Sequence, residues 1–112
     1  MARRRLSTEE RARVFKALSD PRRLELVDLL ATHGPMCGTE LADRLGISVA
    51  LLCHHWEVLA DAGLIRKERV GQMRICTLDP DRLGEATRSW EGAPEAASEP
   101  APKKKRARKA RG

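Results

Sequence analysis

The chain is poor in aromatic residues: its 112 residues include one Phe, two Trp and no Tyr. Apolar residues make up 41% of the sequence, so a core of Leu, Val, Ala and Ile can form within one domain of ordinary size. A core this small is only marginally stable alone. Because pairing two copies buries more apolar surface, we expect the folded domain to form a dimer.

Cysteine is also scarce, and long apolar segments are absent. Cys37, Cys53 and Cys76 are an odd number of thiols without a C-x-x-C motif, which argues against a disulfide framework and against the usual zinc-binding spacing. No stretch is long and apolar enough for a signal peptide or a membrane span. We therefore expect reduced thiols, no membrane partner and a place in the cytoplasm.

Positive charge is plentiful, but it is unevenly distributed. The net charge is +6, and the stretch from residue 91 to residue 112 carries seven Lys or Arg against three Glu. Its composition of Ala, Pro, Glu and Ser followed by KKKRARKAR predicts a disordered basic tail over residues 91–112. Residues 1–6 are predicted to be a flexible basic N-terminus. A basic balance favours a polyanionic partner such as DNA.

Two helices are predicted at the start of the remaining domain, residues 7–90. Ser7 and Glu10 have the spacing of a capping box, which indicates the start of a first helix. Asp20 and Pro21 suit the cap and first turn of a second helix. The many Leu residues of this second helix predict that it is largely buried. The first helix has an apolar stripe of Ala12, Val14, Phe15 and Leu18.

A helix-turn-helix pattern follows. The segment 36–46 (MCGTELADRLG) predicts a short third helix, which Gly46 ends in the left-handed conformation. Ser48 caps a fourth helix that runs to about residue 62. Two helices joined by a turn that contains glycine are typical of DNA-binding helix-turn-helix units.

A β-hairpin and a weak last helix complete the domain. Two β-prone runs flank Val70-Gly71-Gln72 within residues 65–78, which predicts a hairpin. The segment RLGEATRSW predicts a short helix over residues 82–90. The predicted fold class is therefore mainly α with a small β-hairpin, in the order α-α-α-α-β-β-α of a winged helix-turn-helix.

A family resemblance supports this fold. The segment FKALSDPRRLELVDLL is similar to the opening signature of the ArsR/SmtB family of bacterial repressors, and GTELADRLGIS, HHWEVLADAGLI and RKERVGQMRICTL follow at that family's spacing. The resemblance covers residues 11–80. It implies a homodimer with the first and last helices at the interface, and operator binding that a ligand or a redox event weakens. The candidate interface residues are Val14, Phe15, Leu18, Leu83 and Trp90.

The fourth helix is the candidate for base recognition. Leu52, Trp56 and Leu59 share one face and are assigned to the core. The other face is predicted to meet the major groove, through Ser48, Val49, Ala50, Cys53 and His54. Residues 48–59 contain no Arg, Lys, Gln or Asn. Bidentate base readers are therefore absent, which favours contacts to thymine methyl groups and readout of DNA shape.

Basic residues crowd into the hairpin instead. The predicted DNA contacts there are Arg66, Lys67, Arg69 and Arg74, with Gly71 at the tip. Such a cluster suits phosphates or a narrow minor groove. An ordinary solvated surface is the alternative interpretation.

Thiols provide the candidate sensing residues. Cys37 matches the first Cys of a metal-binding box in the resembling family, where Thr39 occupies the second position here. Cys37 and Cys53 are the candidate ligands of a metal or metalloid ion, and no other cofactor is predicted. Oxidation of Cys53, which would clash with a DNA groove, is the alternative. No enzyme is predicted, because adjacent residues such as Cys53 and His54 point about 100° apart on a helix.

The leading hypothesis is a DNA-binding transcriptional regulator, a homodimeric repressor released by a ligand, a metal or metalloid ion, or thiol oxidation. Its partners would be double-stranded operator DNA and a second copy of itself, in a bacterial cytoplasm and associated with the nucleoid. Two alternatives stay open. One is a protein-interaction module on a winged-helix fold, and the other is a non-specific DNA-coating protein that acts through its basic tail.

Overall fold

A computed structural model describes residues 5–94 of the chain. The helices and strands are α1 (Thr8–Ala17), α2 (Pro21–His33), β1 (Met36–Cys37), α3 (Gly38–Leu45), α4 (Val49–Asp61), β2 (Ile65–Val70), β3 (Met73–Leu78) and α5 (Pro80–Thr87), followed by a 3-10 turn (Arg88–Trp90). The order of helices and hairpin is that predicted from the sequence, with one strand added. The basic run of the predicted tail lies outside the described residues.

Side-chain caps start the first two helices as predicted. Ser7 and Glu10 form a reciprocal capping box, in which the Glu10 amide donates to Ser7 Oγ over 3.0 Å and the Ser7 amide donates to Glu10 Oε1 over 2.8 Å. Asp20 accepts from the Arg22 amide over 2.8 Å. Leu6, assigned from the sequence to the flexible N-terminus, packs into the core just before the first cap.

The prediction that α2 is largely buried is wrong. Leu26 and Leu30 are buried, but Leu24 is 47% exposed because it lies on the solvent side of the helix. The predicted apolar stripe of α1 is also partly wrong, because Ala12 is exposed and Ala17 is buried instead. Both helices bury one face against the domain and leave the other in solvent, as amphipathic helices do.

The sheet has three strands, in the order β1-β3-β2, and both pairs are antiparallel. Residues 36–37 were predicted to begin the third helix, but they form β1, in which Met36 pairs with Cys76 and Cys37 with Ile75. In the hairpin, the pairing runs from Ile65 opposite Leu78 to Val70 opposite Met73. The two-residue strand therefore ties the start of α3 to the wing, which is the hairpin β2–β3.

The core lies between the helices and the inner face of the sheet. Its largest fully buried side chains are Val14, Leu26, Leu41, Leu52, Leu59, Leu64 and Cys76. Gly46 ends α3 with φ 68°, and Ser48 Oγ then accepts from the Leu51 amide over 3.0 Å to start α4. This turn fixes the direction in which α4 leaves α3, and the core residues of α4 fix its rotation.

The first helix and the C-terminal end of the domain meet through an aromatic stack. Phe15 and Trp90 stack with ring centroids 5.5 Å apart, and the Arg11 guanidinium lies 4.8 Å from the Trp90 ring centroid. Val14, assigned from the sequence to the dimer interface, is fully buried in the chain's own core and offers no surface to a partner. Leu83 and Trp90 are exposed, at 40% and 57%.

Candidate nucleic-acid interface

The fourth helix presents one buried and one exposed face. Leu52, Trp56 and Leu59 are at most 3% exposed, which confirms their assignment to the core. The exposed face carries the residues predicted to contact the major groove: Ser48, Val49, Ala50, Cys53 and His54. Val49 is 51% exposed. Within residues 48–59, the exposed face of α4 therefore combines apolar and uncharged polar side chains with Glu57 and carries no Lys or Arg.

His55 anchors α4 from behind. Its ring is 5% exposed, and its Nδ1 lies 3.2 Å from Nη1 of Arg23, whose Nε donates to the Ala17 carbonyl over 2.6 Å. The hydrogen-bond partner of His55 is thus a side chain of α2. Because a guanidinium only donates hydrogen bonds, Nδ1 must accept and the ring is neutral. Burial also favours the neutral ring, because it lowers the pKa of His55, although the Asp20 carboxylate acts in the opposite direction.

The wing turns most of its positive charge towards α4. Side chains alternate between the two faces of a hairpin, and directly paired residues share a face. Lys67 pairs with buried Cys76, so it lies on the core-facing side, and Arg69 and Arg74 pair with each other further along the same face. Lys67 Nζ donates to Glu57 Oε2 of α4 over 2.5 Å.

The four predicted wing contacts are not one cluster. Arg66 belongs to the opposite face, where its guanidinium lies 3.9 Å from Asp79. Among residues 5–94, neither Arg69 nor Arg74 forms an ion pair, and both are exposed. Two unpaired guanidinium groups therefore stand beside the exposed face of α4, while Lys67 is partly neutralised and Arg66 lies on the far side.

A pocket of about 370 Å³ opens between the start of α3, the exposed edge of α4 and the tip of the wing. Its lining residues are Cys37, Gly38, Thr39, Val49, Leu52, Cys53, Trp56, Gln72, Met73 and Arg74. Gly38 leaves room for the Trp56 ring at the bottom of this pocket, because a Cβ at residue 38 would lie 2.7 Å from that ring. The two thiols singled out from the sequence therefore face one cavity.

The three thiols differ in chemistry. Cys37 Sγ lies 3.4 Å from Thr39 Oγ1, and this hydrogen bond, together with amide groups at the start of α3, lowers the pKa of the Cys37 thiol. Cys53 is exposed on α4. Cys76 is fully buried, and burial raises its pKa to about 12. The surroundings of Cys37 therefore favour its thiolate, whereas those of Cys76 oppose it.

Within the described residues, no group of three His, Cys, Asp or Glu side chains converges to hold a metal ion. The shared pocket of Cys37 and Cys53 was not visible in the sequence, because it depends on the pairing of β1 with β3. No helix in the described part of the chain has the length and apolar character needed to span a membrane.

Comparison with known proteins identifies the family. Residues 20–67 match the model of the bacterial regulatory proteins of the arsR family. An arsenical resistance operon repressor of Staphylococcus xylosus is 33% identical over 78 residues, which cover 70% of this chain and 74% of that protein. The chain belongs to the arsR family. This arsR-family protein is a DNA-binding transcriptional repressor rather than an enzyme, as predicted.

Other relatives of the arsR-family chain agree in sequence and fold. An uncharacterised helix-turn-helix transcriptional regulator of Methanocaldococcus jannaschii is 34% identical over 77 residues, covering 69% of this chain and 86% of the relative. An arsR-like regulator from a Rhodococcus species superposes with a TM-score of 0.68 at 30% identity, covering 74% of this chain and 77% of that one. A homodimeric winged helix-turn-helix DNA-binding domain from Mycobacterium bovis superposes with a TM-score of 0.64 at 26% identity, covering 73% and 76%. The winged-helix prediction is confirmed.

Proposed function

We propose that this repressor binds operator DNA as a homodimer, with α4 in the major groove and the wing on the adjacent backbone. The observation that carries the proposal is the common orientation of two surfaces. The exposed α4 residues Val49 and Cys53 line one pocket together with Arg74. Glu57 of α4 lines a second pocket with Arg69 and Arg74, so the exposed face of α4 and these two guanidinium groups lie on the same side of the molecule. A groove-reading helix flanked by phosphate-binding cations is the arrangement that winged-helix recognition requires.

The proposed contacts divide by chemistry. The α4 residues Ser48, Val49, Ala50, Cys53 and His54 would meet base edges, and Lys67, Arg69 and Arg74 would meet phosphates. Arg66 was included among the contacts predicted from the sequence. Its position on the other face of the wing, beside Asp79, makes it the weakest member of that set.

The proposed dimer surface combines α1 with the C-terminal end of the domain. Phe15 and Leu18 are partly buried, and Phe15 stacks on Trp90. Leu83 of α5 and Trp90 are exposed. Exposed Leu and Trp side chains on a small domain favour burial against a partner. The homodimeric Mycobacterium bovis relative supports the same assembly for this chain.

Operator selection from random duplexes, followed by fluorescence anisotropy, tests the proposal. Arg69→Ala/Arg74→Ala is expected to weaken operator binding at least tenfold and to flatten the dependence on salt by about 0.9 for each phosphate that is no longer neutralised. Arg66→Ala is the matched control, because it removes a positive charge from the other face of the same hairpin. An equal loss of affinity in both variants would contradict the proposed orientation of the wing.

Removing residues 95–112 distinguishes the repressor from its two alternatives, a DNA-coating protein and a protein-interaction module. A repressor that reads its operator through α4 keeps its sequence preference without this segment, whereas a DNA-coating protein loses most of its affinity. A protein-interaction module shows no operator preference in either form. Sedimentation at micromolar concentration tests the dimer. A Leu83→Asp substitution is expected to weaken it, whereas Leu24→Asp, on the exposed face of α2, is not.

The release signal is a separate prediction. Relatives named for arsenical and cadmium resistance support a thiol-directed signal for this chain. A metal or metalloid ion on Cys37 and Cys53 stays a prediction, because a third ligand would have to come from outside the described residues of one chain. Titration of the repressor–operator complex with zinc and with arsenite is the direct measurement. A role in the bacterial cytoplasm, close to the nucleoid, accords with operator binding.

A further inference from the structure

We propose that the pocket between α3, α4 and the wing is a modification site for small organic electrophiles, in which an α,β-unsaturated carbonyl compound alkylates Cys37 and thereby prevents operator binding. The inference rests on the proposed function, because it assigns a signal to the surface that would contact DNA. It differs from metal sensing in needing one reactive thiol and an apolar cavity, both of which the structure contains.

The nucleophile is defined by its surroundings. Cys37 lies at the junction of β1 and α3, with Thr39 Oγ1 3.4 Å from its sulfur. A hydroxyl and amide groups beside the sulfur favour the thiolate, which is the reactive form of cysteine. Cys76, which lies in the adjacent strand opposite Met36, has a buried thiol with a raised pKa and no access. The fold therefore separates one reactive thiol from one inert thiol in adjacent strands.

The cavity suits a small, mostly apolar molecule. Its volume of about 370 Å³ lies at the lower end of the usual range for small-molecule sites, about 300–1,000 Å³. Val49, Leu52, Trp56 and Met73 supply apolar walls. Arg74 is the one charged residue of the lining, and it suits the carbonyl oxygen of the electrophile.

The reaction needs no oxidant and no further reactant. The Cys37 thiolate attacks the β-carbon, a carbon–sulfur bond forms, and the electron pair of the carbon–carbon double bond moves towards the carbonyl oxygen. The enolate that results takes a proton from water at its α-carbon and becomes the saturated thioether adduct. The guanidinium of Arg74 would stabilise the negative charge that develops on oxygen during the addition.

The adduct would block DNA binding by its position. Val49, Cys53 and Arg74 line the pocket and are also proposed DNA contacts, so an occupant of the pocket lies in the surface that would face the duplex. No long-range conformational change is needed.

Labelling of the full-length protein tests the site itself. Substoichiometric N-ethylmaleimide followed by peptide mass spectrometry is expected to modify Cys37 about tenfold faster than Cys53, with Cys76 protected until the protein unfolds. Thr39→Val should slow the labelling of Cys37, and Thr39→Ser should restore it because the hydroxyl returns. Faster labelling of Cys53 than of Cys37 in the native protein would overturn the assignment.

Binding to the selected operator tests the consequence, with each variant compared with its own unmodified sample. N-ethylmaleimide is expected to weaken operator binding at least tenfold in the parent protein and in Cys53→Ser. Cys37→Ser should be insensitive. Methyl methanethiosulfonate, which adds only a methylthio group, should weaken binding much less. An equal loss of affinity with the small reagent, or full operator affinity in the Cys37 maleimide adduct, contradicts a block by occupancy of the pocket.

Failure of the two proposals can be distinguished. If the unmodified protein shows no operator preference, the proposed function fails, whereas the relative labelling rates of Cys37 and Cys53 still decide whether the pocket activates a thiol. If arsenite releases the operator through both Cys37 and Cys53 while Cys37 alkylation has no effect, the pocket serves a metalloid and the electrophile proposal is overturned.

Discussion

Helix α4 and the wing lie side by side, yet their exposed surfaces are of opposite kinds. From residue 48 to residue 59, α4 has no Lys or Arg, and its exposed side chains include Val49 and Ala50. The wing carries Lys67, Arg69 and Arg74 on the face beside α4. In the proposed complex, the wing therefore provides most of the affinity and α4 the sequence preference, because phosphate contacts position a protein and base contacts specify the site.

A helix without bidentate donors can still discriminate between sequences. Apolar side chains contact thymine methyl groups, and a close fit to the groove reads DNA shape. Such readout is sensitive to the rotation and depth of the helix, since small apolar contacts vanish with small displacements. The buried side of α4, anchored by Leu52, Trp56, Leu59 and His55, therefore matters as much as the exposed side.

The largest effect is expected from breaking the anchor of α4. Leu52→Ala should lower the free energy of unfolding by about 2–5 kcal/mol, because it leaves a cavity beneath a fully buried side chain. Leu51→Ala is the matched control, since Leu51 is 42% exposed and its truncation removes little packing. Urea denaturation followed by circular dichroism gives both values. Similar losses of stability in the two variants would mean that the rotation of α4 is misassigned.

The pH dependence of folding stability tests how buried His55 holds α4 in place. Burial lowers its pKa below the ordinary value of 6.5, although the Asp20 carboxylate opposes this and the Arg23 and Arg22 guanidinium groups and His54 add to it. The unfolded chain therefore takes up a proton at a higher pH than the folded chain, so stability falls as the pH drops from 6.5 towards the folded-state pKa.

His55→Gln retains an acceptor for Arg23 and should remove this part of the acid sensitivity, as seen in urea denaturation over a series of pH values. His54→Gln, which removes the adjacent exposed imidazole, should retain it. Acid sensitivity that persists in His55→Gln and disappears in His54→Gln would assign the effect to the exposed ring instead.

A smaller effect is expected when an exposed apolar side chain of α4 is shortened. Val49→Ala is expected to reduce the preference for thymine at the contacted position by about 1 kcal/mol, because less apolar surface is buried between the side chain and the thymine methyl group. The dependence of binding on salt should stay unchanged, unlike that of Arg69→Ala/Arg74→Ala. Repeating operator selection with the variant measures the preference. A change in salt dependence without a change in preference would reverse the roles assigned to α4 and the wing.

Local chemistry explains which features could be predicted from the sequence. The caps at Ser7, Asp20 and Ser48 depend on residues within three positions, and the buried stripe of α4 follows from helical spacing. These signals need no knowledge of distant contacts. The burial of α2 was overestimated because counting Leu residues does not show which side of a helix has a neighbour, as exposed Leu24 demonstrates.

Features that depend on strand pairing escaped prediction. Two residues are too few to show a strand pattern, so β1 became visible only through its pairing with Ile75 and Cys76. The same pairing brings Cys37 into the pocket with Cys53. Arg66 was grouped with the other wing cations because they are close in sequence, whereas the hairpin register places it on the opposite face. Long-range register decides both outcomes.

The smallest effect is expected at the ion pair of Lys67 with Glu57, the one ion pair that joins the wing to α4 within the described residues. Lys67 and Glu57 lie 2.5 Å apart, but their side chains are 34% and 60% exposed, so water screens their attraction. A double-mutant cycle with Lys67→Met and Glu57→Gln is expected to give a coupling free energy below about 1 kcal/mol in urea denaturation. Glu57→Gln alone should tighten operator binding, because it frees Lys67 for a phosphate and removes a negative charge beside the groove. A coupling energy well above this limit, with operator binding unchanged, would show that the pair holds the wing against α4 and that Lys67 does not contact DNA.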